Sequence, residues 1–144
     1  MKAESHLKIA KLLIIIPTIW YSIIPPIVDF THTHVFNPAW VGHARFHTVW
    51  LLTTNTLIGI IALVFLFRKI PTQILGMRIA GLLSLCVYAG FFGAALSMGA
   101  YDGTLSDSDV VPKILGIDGN LFAFTPLTIM LITGTYMSFK QANH

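Results

Sequence analysis

Charge is what this sequence has least of: Asp, Glu, Lys and Arg together make up 10% of its 144 residues, against about 25% in soluble domains. A chain so poor in charge cannot cover a water-facing surface. With 55% hydrophobic residues, the class that remains is an integral membrane protein. Cysteine is nearly absent as well. The lone Cys86 excludes an intramolecular disulfide and any Cys-x-x-Cys thiol relay, and inside an apolar segment it reads as a small packing residue. Nine Lys and Arg exceed six acids, but they are scattered at the ends of apolar runs and form no continuous patch, which excludes nucleic acid as a partner. Gly-x-Ser-x-Gly, a phosphate loop and a dinucleotide fingerprint are all missing. Hydrolase and nucleotide-dependent chemistry therefore find no support.

What the chain does have is long apolar runs. Four of them, at about 7–28, 46–67, 79–101 and 121–139, meet the roughly 20 residues that a spanning helix needs. The predicted fold is all-α, an integral membrane antiparallel four-helix bundle forming a single transmembrane domain over 1–144. Pro25-Pro26, Arg68-Lys69-Ile70-Pro71 and Tyr101-Asp102-Gly103 are expected to stop the first three helices. The start of the chain resembles a signal peptide, but Pro25-Pro26-Ile27-Val28 offers no Ala-x-Ala cleavage pattern, so it reads as a retained helix.

Lys2, Lys8, Lys11, Arg68, Lys69, Arg78 and Lys140 fall at the end that carries both termini, and only Arg45 and Lys113 at the other. Both termini are therefore expected in the cytoplasm, with the chain in the plasma or inner membrane. Asp29, Asp102, Asp107, Asp109 and Asp118 share the opposite face. Trp20, Tyr21, Trp40, Trp50 and Tyr101 lie near expected span ends, where aromatic rings favour the interface. On the third helix Ala89, Gly93 and Ser97, with Ala95 and Gly99 beside them, allow close helix packing. Ser106-Asp107-Ser108-Asp109 resembles a capping box before 110–115, which suggests a short interfacial helix or a solvated loop.

The candidate site is 29–47, which holds four of the six histidines. Polar groups beside hydrocarbon need partners. His43 and His47 stand at i and i+4 and project from one helix face. Thr54 and Asn55, with Thr48, Thr53 and Thr56 nearby, continue that side inward, either as a polar seam lining a cavity or as hydroxyls bonded to their own helix. Asn37-Pro38 would turn the chain so that His32, His34 and Asp29 meet the second helix. One reading is a metal site of His32, His34, His43 and His47 holding zinc, iron or copper. A second needs no metal: His43 or His47 is the general acid or base, Asp29 orients it, and Arg45 holds an anion or anchors to lipid phosphate.

The block Asn37-Pro38-Ala39-Trp40-Val41-Gly42-His43-Ala44-Arg45-Phe46-His47, preceded by Thr33-His34, resembles the signature of a small uncharacterised family of four-helix membrane proteins from bacteria and fungi. Where that pattern commonly has Pro-Pro, this chain has Val41-Gly42. The resemblance implies a fold and no established reaction. More loosely, the layout is similar to compact sterol isomerases and sterol-binding proteins, though no motif carries their residues over. The expected function is a small membrane enzyme, metal-dependent or acid-base, with membrane lipids around it and a lipid-like or hydrophobic substrate. The alternative is a non-catalytic binding protein, or an accessory subunit of a homo-oligomer or larger membrane complex.

Overall fold

The computed structural model describes residues 2–68, 72–106 and 113–140. Four long helices carry the architecture: α1 (Lys2–Asp29), α2 (Gly42–Arg68), α3 (Gln73–Ser97) and α4 (Gly119–Lys140). Each is long and apolar enough to cross a membrane. A single 3₁₀ turn, Met98–Ala100, extends α3, and a two-stranded hairpin, β1 (Lys113–Ile114) and β2 (Ile117–Asp118), precedes α4.

Each helix packs mainly on its two sequence neighbours, and α4 returns to α1, so the four close into a ring. Contacts fix the directions. Lys11 on α1 lies over the Phe67 ring of α2, whereas Ser22, further along α1, meets Thr56. Trp20 packs edge-on against Phe124, while Ala10 lies against Gly134. Neighbouring helices are therefore antiparallel. Lys11, Arg68, Arg78 and Lys140 gather at one end, and the 30–41 connection and the hairpin lie at the other.

The prolines do not stop α1. The helix runs through Pro17, Pro25 and Pro26 to Asp29, and the bundle shows why it can. A proline removes only its own N–H, which strands the carbonyl four residues earlier. Pro26 strands that of Ser22, and Thr56 Oγ1 of α2 donates to it at 3.1 Å. A neighbouring helix thus replaces the missing bond. Thr56→Val should cost about 0.5–1.5 kcal/mol, measurable as a lowered thermal midpoint in detergent.

α3 starts at Gln73, six residues before the expected 79, because Thr72 caps it, accepting from Leu75 N at 3.2 Å. Arg78, which ended the apolar run in the sequence, sits within the helix. Its guanidinium donates to Ser138 O at 3.3 Å and lies 4.8 Å from the Phe139 ring, capping the last carbonyls of α4. Likewise α2 begins at Gly42 rather than 46, which puts His43, Arg45 and His47 all on helix.

The core is partly polar. Thr18 Oγ1 and Ser84 Oγ lie 2.8 Å apart, Tyr21 OH is 3.3 Å from Ser84 Oγ, and Tyr88 OH donates to Pro17 O at 3.0 Å. Tyr21 is thus a core residue, 1% exposed, and not the interfacial aromatic its position suggested. Small residues bring helices together at Gly59, Gly81 and Gly134, where an added Cβ would meet Ser22, Thr135 and the Ala10 carbonyl. The stripe Ala89, Gly93, Ser97 is exposed instead, with open space beside Gly93 and Gly99, and Cys86 is exposed too. Neither stripe nor thiol packs inside the bundle.

All of the expected capping box but Ser106, and the first half of the interfacial helix, fall on 107–112, outside the described residues. The remainder is a hairpin, with Leu115 and Gly116 at φ 54° and 81° forming its turn. Asp118 ends β2 and caps α4, accepting from Asn120 N at 2.8 Å and from Ser106 Oγ.

Candidate functional site

The last turn of α1 leaves carbonyls without helical partners, and the connection 30–41 is folded by supplying them. Phe30 N donates to Pro26 O at 3.3 Å, Thr31 Oγ1 to Val28 O at 2.9 Å, and Val35 N to Asp29 O at 3.1 Å. Val35, 6% exposed, plugs the underside. Asn37 does the turning that Asn-Pro predicted. Its Oδ1 accepts from Ala39 N at 2.9 Å across Pro38, and its Nδ2 donates to Thr33 O at 3.2 Å.

Arg45 reaches back from the first turn of α2 and donates from Nη2 to Asn37 O at 2.8 Å. Its Nε is buried without a hydrogen-bond partner. Arg45 therefore ties the loop to the helix. Arg45→Ala should cost about 1.5–3 kcal/mol of local stability, as a charged hydrogen bond would, seen as faster amide hydrogen exchange at Val35, Phe36 and Trp40. Arg45→Lys should restore little of it, since the ammonium lacks the guanidinium's reach and fork.

Within this loop His34 is held by three groups. Asp29 Oδ1 lies 3.7 Å from its Nδ1, Thr33 Oγ1 lies 2.8 Å from the same nitrogen, and Trp40 packs on the ring with centroids 5.5 Å apart. The proton positions follow from a chain of hydroxyls. A carbonyl only accepts, so the Thr31 hydroxyl must donate to Val28 O. Thr31 Oγ1, 2.8 Å from Thr33 Oγ1, must then accept the Thr33 proton. Thr33 in turn can only accept from His34. In the neutral ring this order places the proton on Nδ1 and leaves the lone pair on Nε2. Side-chain exposures of 35% for His34 and 27% for Asp29 leave both reachable from water.

His43 and His47 form a second pair. Their Nε2 atoms are 3.0 Å apart on consecutive turns of α2, and the His47 ring stacks on Trp50. Both are exposed, as are Trp50 and Leu51 on the same side, whereas α2 buries Leu52, Gly59, Ala62 and Leu66. The histidine face thus looks away from the bundle and lines no interior seam. Thr48 bonds its own helix at Ala44 O, and Thr56 serves Ser22. His32 stands apart, exposed and tilted against Phe36.

Among the described residues no three His, Cys, Asp or Glu side chains converge as a metal-holding group. The four predicted ligands divide into a pair, a histidine paired with Asp29, and a lone ring. The grooves of about 270 Å³ beside Ile16, Trp20 and Ile23 and about 130 Å³ beside Phe91, Met98 and Tyr101 contain no histidine. The parts played by Thr31 and the Thr33 hydroxyl do not follow from the spacing of the histidines. The alternation of threonine and histidine from Thr31 to His34 was the available signal. Comparison with protein-family models, with curated proteins and with solved structures finds no match to this chain. The resemblance carried by the Asn37 to His47 block rests on sequence alone.

Proposed function

We propose that this chain is a small integral membrane enzyme, with both termini in the cytoplasm, that performs acid-base chemistry on a lipid-like or hydrophobic substrate at the non-cytoplasmic face. The observation that carries it is the proton order through Thr31, Thr33 and His34. A histidine whose Nδ1–H is committed presents Nε2 as a base, and a neighbouring carboxylate favours the imidazolium formed when Nε2 takes a proton. The end of α1 adds to this, since its partial negative charge also favours a nearby cation.

Exposed Phe30, Phe36, Val41, Phe46 and Trp50 surround the loop, which suits the boundary between headgroups and hydrocarbon. Substrate would reach His34 from that layer and not through an enclosed cavity. Arg45 and Asn37 hold the loop in shape.

One observation favours the alternative of a binding protein or accessory subunit: the polar groups of the loop largely bond one another, with Arg45 Nη2 donating to Asn37 O. The readings separate in lipid discs. Wild-type chain incubated with a total membrane-lipid extract should convert at least one lipid or hydrophobic species, detected by mass spectrometry. An unchanged extract, together with co-purification of a larger partner from native membranes, would favour the accessory reading.

A further inference from the structure

We infer that His43 and His47 form a two-nitrogen chelate for a divalent transition ion of the copper(II) class, at a site separate from the Asp29/His34 pair. The two Nε2 atoms are 3.0 Å apart. With metal–imidazole bonds of about 2.0–2.1 Å, that spacing subtends roughly 94° at the ion, whereas a tetrahedral angle needs about 3.4 Å. The spacing thus matches adjacent corners of a square-planar or octahedral site. Among divalent ions that prefer such a geometry with imidazole, copper(II) binds most strongly and nickel(II) next.

The helix sets the distance. Residues four apart occupy one face on successive turns, and stacking of His47 on Trp50 together with an edge-on contact to Phe46 restricts its ring. At 3.0 Å one Nε2 must donate its proton to the other, so the two neutral rings are opposite tautomers. The ion sits off the line between the two nitrogens and binds both Nε2 atoms in place of their shared hydrogen bond. The donor ring moves its proton to Nδ1, both rings stay neutral, and no proton is released. The remaining coordination positions fall to water or to oxygen donors outside the chain. Both rings are exposed, so an ion can reach them directly.

This inference does not rest on the acid-base reading. The test is copper(II) titration of the full chain in lipid discs, in a non-chelating buffer, with His6→Gln and His144→Gln introduced to remove histidines near the termini. One copper per chain should bind, with a paramagnetic resonance spectrum of two equatorial nitrogens. His47→Gln should weaken binding on the order of 10²-fold by removing the second anchor, and His32→Gln/His34→Gln should leave it unchanged. No binding, binding that survives His43→Gln/His47→Gln, or binding lost with His32 and His34 would each overturn the proposal. Lipid conversion measured on the same metal-free samples shows separately whether the acid-base reading holds.

Discussion

His34→Gln is expected to lower turnover of the lipid-like substrate by about 10²–10⁴-fold, the usual contribution of a positioned general base, without changing the thermal midpoint of the bundle. The amide of Gln can still donate to Thr33, so the loop keeps its bond while losing the only lone pair that accepts a proton. Asp29→Asn should cost less. Its oxygen lies 3.7 Å from Nδ1, beyond a hydrogen bond, and it acts by charge on the imidazolium. Thr33→Val removes the acceptor that fixes the tautomer and should fall between the two. Equal losses with His43→Gln and no loss with His34→Gln would move the chemistry to α2. Purified variants in discs, compared by kcat/KM, decide the order.

Gly134→Leu is expected to be the most damaging single change to the fold. A Cβ at that position would lie 2.8 Å from the Ala10 carbonyl oxygen and 2.7 Å from Leu13 Cβ, so α1 and α4 would have to separate. Backbone cannot rotate away as a side chain does. Overpacking costs about 1–3 kcal/mol and more where nothing yields, and here the contact closes the ring of helices. Gly93→Leu, facing open space, should change stability little. Thermal unfolding of the two variants in one detergent makes the comparison. A Gly134→Leu protein as stable as wild type would mean that α1 and α4 do not meet here.

Helix number and the greasy extent of each helix were legible in the sequence, because apolar run length reads directly as span. Helix ends were less so. Pro25-Pro26 read as a stop because the sequence does not show Thr56 arriving to bond the freed Ser22 carbonyl, and Arg78 read as a boundary because its partners lie on α4. The candidate stretch was legible by composition, and the turn at Asn37 by residue type. Its internal partition was not. Whether His43 and His47 face in or out depends on which side of α2 packs, and a nearly uniformly apolar helix carries little such pattern. The role of Thr31 and Thr33 emerges only when hydroxyl distances fix the direction of each proton.

The central claim is that His34 presents an unprotonated Nε2 as base, and its ring nitrogens report on this without knowledge of the substrate. Nitrogen-15 resonances of labelled His34 in lipid discs at mildly alkaline pH should show a neutral ring protonated on Nδ1, with Thr33→Val shifting it toward a tautomer mixture. A ring protonated on Nε2 in the wild-type chain would contradict the account.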